Sequence, residues 1–145
     1  MARRRIARVP FPVELECQSA ERLRVDSGSI DTVVTTWTLC SIPNPLEALR
    51  EMRRVLRPNG RLLFVEHGQS PDPGVRAWQR RLNPLWRRIA GGCHLDRKVD
   101  ELIRSAGLDI DQMKTAYLPG PRLMTYTYEG SAVGTAIEIR SSKSK

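Results

Sequence analysis

The sequence predicts an α/β domain built around a parallel strand–helix–strand unit. A run rich in β-branched residues, IDTVVTTWTLC (Ile30–Cys40), predicts a strand that is buried on both faces near its start. A short apolar run, RLLFVEH (Arg61–His67), predicts a central strand of the same sheet. Between them, LEALREMRRVL repeats apolar residues at helical spacing, and Pro45 suits the first turn of that helix.

The segment RPNG (Arg57–Gly60) predicts how the helix gives way to the second strand. Pro58 cannot continue the helix, and Gly60 is expected to adopt a left-handed conformation without Cβ strain. Because such crossovers are nearly always right-handed, both strands should end at one edge of the sheet, where ligands of α/β sheets bind.

The flanking segments predict further elements. VELECQ (Val13–Gln18) alternates apolar and polar residues, which is typical of a strand. Helices are expected at Val75–Leu82, Leu85–Ala90 and about Asp96–Ala106. LDIDQMKTAYL and LMTYTYEGSAVG predict a closing strand pair around PGP, antiparallel and edge-like.

Charge and hydropathy limit the class of protein. The 145 residues, the size of one domain, carry a net charge of +8, concentrated in ARRRIAR, in Arg76–Lys98 and in the RSSKSK tail. Such charge could serve nucleic acid or an acidic membrane surface, but no RNA-binding aromatic motif, zinc knuckle or helix-turn-helix pattern favours nucleic acid. ARRRIAR is interpreted as the solvated end of a helix. No apolar run long enough for a membrane-spanning helix or a signal peptide occurs, so a cytoplasmic protein is expected.

The cysteines give no sequence signal for a metal or a disulfide. The chain has three cysteines, Cys17, Cys40 and Cys93, which is an odd number. They lie far apart in the sequence and form no CxxC motif. This pattern argues against a disulfide framework and against a zinc site, so reduced thiols and no metal are expected.

The segment from Gly28 to Gly68 resembles the second half of a class I S-adenosylmethionine-dependent methyltransferase of the type 11 group. Asp31, Leu39, Pro43, the VLRPNG segment and Glu66 fall on positions of that family's pattern. LCSI, with GGCHL further on, is similar to a narrower branch, the thiol-methyltransferase-like proteins. The resemblance implies a Rossmann-like sheet, S-adenosylmethionine as cofactor and a small-molecule methyl acceptor.

The resemblance covers roughly Val13–Tyr128 and lacks the family's glycine-rich motif, Asp/Glu-x-Gly-x-Gly, and the next strand. It therefore implies a sheet truncated at the N-terminus, with residues 1–130 forming the C-terminal portion of one methyltransferase domain and 131–145 a basic, disordered tail. Unpaired strand edges would make such a chain unstable alone. The expectation is an upstream start, a missing N-terminal half, or a homo-oligomer that completes the sheet. The alternative is a non-catalytic remnant or a partner-dependent subunit.

The resemblance also implies two groups of cofactor contacts. The adenine side is expected at Ser19, Ala20 and Glu21, and the methionine side at Thr36, Trp37 and Thr38. The alternative for the first group is a helix N-cap with a glutamate in the first turn. The alternative for Trp37 is ordinary core packing.

The acceptor is expected to meet Cys40, Glu66, Trp78 and His94. His67 is a candidate general base because the unperturbed pKa of histidine is about 6.5, and the alternative is a histidine hydrogen-bonded at a strand end. Cys40 is equally interpretable as a buried, inert thiol.

Two further pairs complete the candidates. Trp78 and Trp86 are expected to form an apolar lid over the acceptor, although the arginines around them also fit peripheral contact with acidic lipid. Cys93–His94 could be a thiolate pair for nucleophilic catalysis, but adjacent side chains rarely point at each other.

Overall fold

The structure is a computed structural model that describes Ile6 and residues 9–134. Within these residues, four strands form one mixed sheet in the order β1-β2-β4-β3, in which β1 and β2 are parallel and β4 is antiparallel to both of its neighbours. The strands are β1 Ile30–Thr36, β2 Leu56–His67, β3 Leu108–Tyr117 and β4 Tyr126–Gly134. The helices are α1 Pro45–Val55, α2 Pro73–Ile89, α3 Val99–Ser105 and α4 Arg122–Thr125.

The predicted unit β1–α1–β2 is confirmed. Helix α1 begins with Pro45 after Asn44, whose side chain accepts a hydrogen bond from the Glu47 N–H. Its apolar stripe, which includes Leu49 and Met52, is buried in the core with Leu62 and Phe64 of β2. Helical spacing therefore produced one buried face, as expected for a crossover helix on a sheet.

Gly60 is needed for a reason other than the predicted one. Its φ is not positive, so it is not the left-handed turn residue expected from the sequence. Strand β2 instead begins at Leu56, and its register against β1 jumps between Ile30 and Thr32. A Cβ on Gly60 would lie 3.0 Å from the carbonyl oxygens of Ile30 and Asp31, so glycine permits close backbone approach at this bulge.

Strand β1 is not buried on both faces as predicted. Only Thr35 of the strand is fully buried, and Val34 is 64% exposed. β2 alternates in the same way: Leu62 and Phe64 are buried, whereas Leu63 is 37% exposed. One face of the sheet is thus uncovered within the described part of the chain, and an open cavity of about 470 Å³ lies on it.

Three predicted elements differ from those observed. Val13–Gln18 forms no strand and is mostly exposed, because it pairs with no strand edge among the described residues. The two helices expected on either side of Pro84 are one helix, α2, which Asp72 caps by accepting the N–H of Gly74 at 2.9 Å. The next helix begins at Val99 rather than near Asp96.

The closing strand pair is confirmed as antiparallel, but only β3 is at the edge of the sheet. β4 lies between β2 and β3 and continues to Gly134, so the first residues of the predicted tail are strand. Residues 135–145 and, apart from Ile6, the ARRRIAR segment lie outside the described residues. No helix in the described part is long and apolar enough to cross a membrane.

One buried carboxylate fixes the point at which the chain leaves β1. Glu66 of β2 has no exposed surface, and it accepts the Thr35 hydroxyl at 2.7 Å and the backbone N–H groups of Thr38 and Leu39 at 2.9 and 3.1 Å. Burial raises the pKa of Glu66, and these three hydrogen bonds partly offset that rise.

We expect Gly130→Ala to destabilise the sheet by about 1–3 kcal/mol, the usual cost of overpacking. A Cβ there would lie 2.1 Å from the Gln112 carbonyl oxygen and 2.8 Å from the Phe64 ring. Gly134→Ala, on the same strand, is the control because no atom of the described residues lies within 4 Å of its Cβ position. Denaturant unfolding measures both, and equal stability of the two variants would contradict the packing of β4 between β2 and β3.

We expect Glu66→Leu to lower the free energy of unfolding by about 2–5 kcal/mol, because it keeps the side-chain bulk but leaves two N–H groups without their acceptor. Glu66→Gln should retain most of the stability, since its amide oxygen still accepts both N–H groups and the Thr35 hydroxyl can rotate. Chemical denaturation of the two variants checks this. A Leu variant as stable as the Gln variant would show that the turn after β1 does not depend on the acceptor.

Candidate active site

Trp37 lies at the carboxyl end of β1 in a strained conformation. Its φ is 52°, which is rare for a bulky residue, and its N–H donates to the Val65 carbonyl at 2.9 Å. The indole is 49% exposed, and its ring lies 5.5 Å from that of His67. Strain of this kind concentrates at functional sites, so the exposed indole is a candidate contact surface rather than the core residue of the alternative.

The neighbours of Trp37 contribute mainly backbone. Thr36 is exposed, and its carbonyl accepts the Thr38 hydroxyl at 2.7 Å. The Thr38 N–H is held by Glu66. Glu66 therefore supports this turn from below, and its full burial separates it from the acceptor contact predicted for it.

His67 lies against two cysteines. The Cys93 Sγ is 3.3 Å from the His67 Nε2, and a ring nitrogen of His67 and the sulfurs of Cys40 and Cys93 all lie within 4.8 Å of one another. The His94 N–H donates to the Cys40 carbonyl at 2.9 Å, which brings the segment carrying Cys93 against the one carrying Cys40. The three side chains thus come from the turn after β1, the end of β2 and the segment after α2.

Burial dominates the electrostatics of this cluster. It raises the pKa of the Cys40 thiol to about 11, an effect that a contact with the Ser41 hydroxyl opposes. It also lowers the pKa of His67. Both groups therefore favour their neutral forms when nothing is bound to them.

The spacing of the cysteines in the sequence did not predict this cluster. Cys93 contacts His67 instead of the adjacent His94, and three potential metal ligands meet although no CxxC spacing exists. A signal was present: Cys40, His67 and Cys93 all lie in the LCSI, VEHG and GGCHL segments that carry the family resemblance.

His94 faces a different environment. Its Nδ1 is 4.0 Å from an Asp96 carboxylate oxygen, and it lines an open cavity of about 580 Å³ together with Arg87 and Arg88. Burial, followed by the charges of Arg97 and Arg87, lowers the pKa of His94.

The Ser19–Glu21 segment forms a turn rather than the start of a helix. The Ser19 Oγ accepts the Glu21 N–H at 3.2 Å, and the Glu21 carboxylate accepts the Asn44 N–H at 2.7 Å. Ala20 packs on the core. The polar groups of Ser19 and Glu21 are already hydrogen-bonded within the chain, and the adenine contacts expected there stay a prediction. The N-cap alternative is wrong, because no helix follows this segment.

Trp78 lies apart from His94 on an open groove. It is 55% exposed, its ring is 5.7 Å from the Arg81 guanidinium carbon, and it lines a cavity of about 570 Å³ with Leu82 and Leu123. His94 lines another cavity, so the structure does not bring these two predicted acceptor contacts into one pocket.

Comparison with known proteins gives one consistent family. A family model described as a methyltransferase domain matches residues 1–64. Thiol S-methyltransferase TMT1B of Rattus norvegicus is 41% identical over 105 residues, which are 67% of this chain and 43% of that protein. Thiol S-methyltransferase TMT1A of Homo sapiens is 35% identical over 99 residues, 68% of this chain and 40% of that protein. The chain thus spans less than half the length of these curated relatives.

Solved structures agree on the fold. A S-adenosylmethionine-dependent methyltransferase of Methanosarcina mazei superposes with a TM-score of 0.63 at 19% identity, covering 81% of this chain and 65% of that one. A methyltransferase of Bacillus halodurans gives 0.63 at 16% identity, covering 83% and 75%. The fold is therefore Rossmann-like, and the chain belongs to the methyltransferase domain family, of which it carries part of a class I domain.

Proposed function

We propose that the protein acts in methyl transfer from S-adenosylmethionine to a small thiol. The names of its relatives support the thiol, and a trans-methyltransferase, CalH, solved with S-adenosylhomocysteine supports the cofactor, with a TM-score of 0.63 at 20% identity over 92% of this chain and 39% of that one. The observation that carries the proposal is the exposed, strained Trp37 beside His67 at the carboxyl ends of the parallel strands, where ligands of α/β sheets bind.

The residues of the turn after β1 fit the sulfonium side of the cofactor. When bound, S-adenosylmethionine supplies a positively charged sulfonium whose methyl group is transferred. An exposed indole is the best aromatic partner for such a cation, and Glu66 holds the turn that presents it. Trp37 and the backbone of residues 36–38 would therefore hold the sulfonium side. The polar groups of Ser19 and Glu21, on the predicted adenine side, already bind other groups of the chain.

The general-base role predicted for His67 stays a prediction, because its Nε2 faces the Cys93 sulfur. A cytoplasmic location and assembly as a homo-oligomer likewise remain proposals.

A partner-dependent or non-catalytic chain is the second candidate, and the uncovered sheet face favours it. Val34, Leu63, Met113 and Val133 are each at least 37% exposed, although apolar strand residues are normally buried. A second polypeptide that covers this face would bury them. Cofactor binding by the chain alone separates the two candidates.

We expect calorimetric titration of the folded chain to show binding of both S-adenosylmethionine and S-adenosylhomocysteine. Trp37→Ala should weaken S-adenosylmethionine about tenfold, equivalent to ~1.4 kcal/mol, and S-adenosylhomocysteine less, because only the former carries the sulfonium charge. Trp78→Ala, which removes another exposed indole, is the control.

Equal losses for both compounds would contradict the sulfonium contact. No binding by a chain that circular dichroism shows to be folded would overturn autonomous methyl transfer in favour of the second candidate.

We also propose that α2 makes peripheral contact with an acidic membrane surface. Trp78, Leu82, Leu85 and Ile89 recur at helical spacing, and three of them are at least 55% exposed. Arginines flank this strip, at Arg80, Arg81, Arg87 and Arg88. An exposed apolar strip beside cationic side chains is typical of interfacial helices.

Vesicle co-sedimentation tests this contact. We expect binding to vesicles that contain phosphatidylserine, weaker binding to purely zwitterionic vesicles, and at least about a tenfold loss for the double variant Trp78→Ala, Leu85→Ala. Val34→Ser, which changes an exposed apolar residue on the sheet, should bind as the unaltered chain does. Equal binding by the double variant would contradict a role for α2.

A further inference from the structure

We propose that Cys40, His67 and Cys93 form a Zn²⁺ site with one coordination position left open. Zinc prefers thiolate and imidazole ligands at about 2.0–2.3 Å, which places the ligand atoms of a tetrahedral site roughly 3.5 Å apart. The Cys93 Sγ and the His67 Nε2 are 3.3 Å apart, and all three ligand atoms lie within 4.8 Å of one another. The cluster thus needs only small adjustments to surround one ion.

Backbone contacts hold the three ligands in place. His67 ends β2, where its strand pairs with β4 at Thr127. Gly91 and Gly92 both adopt positive φ, and this turn returns the chain from α2 so that Cys93 reaches the end of the sheet. The bond from the His94 N–H to the Cys40 carbonyl then fixes the two cysteine segments to each other. A site whose ligands are preorganised in this way loses little entropy on binding a metal.

The charges of the ligand set also fit a divalent cation. Two thiolates neutralise Zn²⁺, and buried charges in proteins are normally paired or bound to metals. Cys40 and His67 are only 3% and 6% exposed, whereas Cys93 is half-buried.

Three protein ligands and one open position are the arrangement of catalytic rather than structural zinc. Ser41, Gly92 and His94, the sequence neighbours of Cys40 and Cys93, line an open cavity that none of the three ligands lines, and the open position itself is the place for a fourth ligand. On the proposed function, that ligand is the thiol acceptor. A zinc-bound hydroxide, which would fill this position before the acceptor arrives, takes the proton of the S–H bond and leaves as water while a sulfur–zinc bond forms. The coordinated thiolate retains a lone pair for the methyl group.

Zinc titration of the reduced full-length chain against a chromophoric chelator tests the site without any cofactor. We expect a Kd below about 1 μM, and more than about a 100-fold loss for Cys93→Ser, which exceeds the loss that follows from removing an outer-shell partner. Cys17→Ser is the matched control, because Cys17 is exposed and outside the cluster. This control should bind zinc as the unaltered chain does.

Replacement of zinc by Co²⁺ reports the geometry. A tetrahedral cobalt spectrum with sulfur-to-metal charge transfer is expected in the unaltered chain, with reduced charge transfer in Cys93→Ser and in Cys40→Ser. Circular dichroism of each variant verifies its fold, and loss of charge transfer in a folded Cys93→Ser chain establishes the ligand. Absence of zinc binding by the unaltered chain, or equal affinity in Cys93→Ser and Cys17→Ser, would overturn the site.

Addition of 2-mercaptoethanol to the cobalt-loaded chain tests the open position. A further rise in charge transfer would show that an external thiolate binds the metal, and an unchanged spectrum would overturn the open position while leaving the three-ligand site intact. Because both measurements omit S-adenosylmethionine, failure of the metal site is distinguishable from failure of methyl transfer.

Discussion

The arrangement of the site depends on the buried carboxylate of Glu66. A chain that leaves a sheet in the interior must find acceptors for the N–H groups that the strand ladder no longer pairs. Glu66 provides them from the neighbouring strand, because it accepts Thr38 and Leu39 while it also accepts the Thr35 hydroxyl. The turn is therefore closed immediately after β1, which leaves Trp37 in its left-handed conformation and brings Cys40 towards His67. A side chain of the same length without an acceptor would not define this path.

The strand–helix–strand unit was predictable because its signals are local. Pro45, the apolar spacing of α1 and the β-branched run of β1 act within a few residues of one another, and the structure contains the helix and the strand, although β1 ends at Thr36 and not at Cys40. Burial was not predictable in the same way, because it depends on what covers a strand. The same apolar pattern that predicts a buried strand leaves Val34 64% exposed when nothing among the described residues lies over it. Likewise, Gly60 has a role set by the backbone of β1 and not by its own turn.

One part of the candidate site was predicted from the sequence and the other part was not. The resemblance implied that Thr36, Trp37 and Thr38 contact the cofactor, and the structure shows Trp37 exposed at the end of β1. The cysteine–histidine cluster was not predicted, because spacing rules recognise ligands on one turn and these ligands lie on three segments. The residue adjacent to Cys93 is the histidine that does not contact it, and His67, 26 positions away, is the one that does. Only the resemblance grouped the three segments, and it did so without reference to a metal.

His67 lies between Trp37 and the two cysteines, and this position limits the chemical roles that its side chain can have. Its ring lies against Trp37 on one side, while its Nε2 faces the Cys93 sulfur. A nitrogen that binds zinc cannot also accept a proton, so the general base expected from the sequence and the ligand inferred from the structure are mutually exclusive roles. Zinc also makes a separate base unnecessary, because a coordinating thiol is deprotonated by the metal itself. The buried environment that disfavours a charged imidazole suits a neutral ligand, and Trp37, the indole proposed to contact the sulfonium, has its ring 5.5 Å from that of His67.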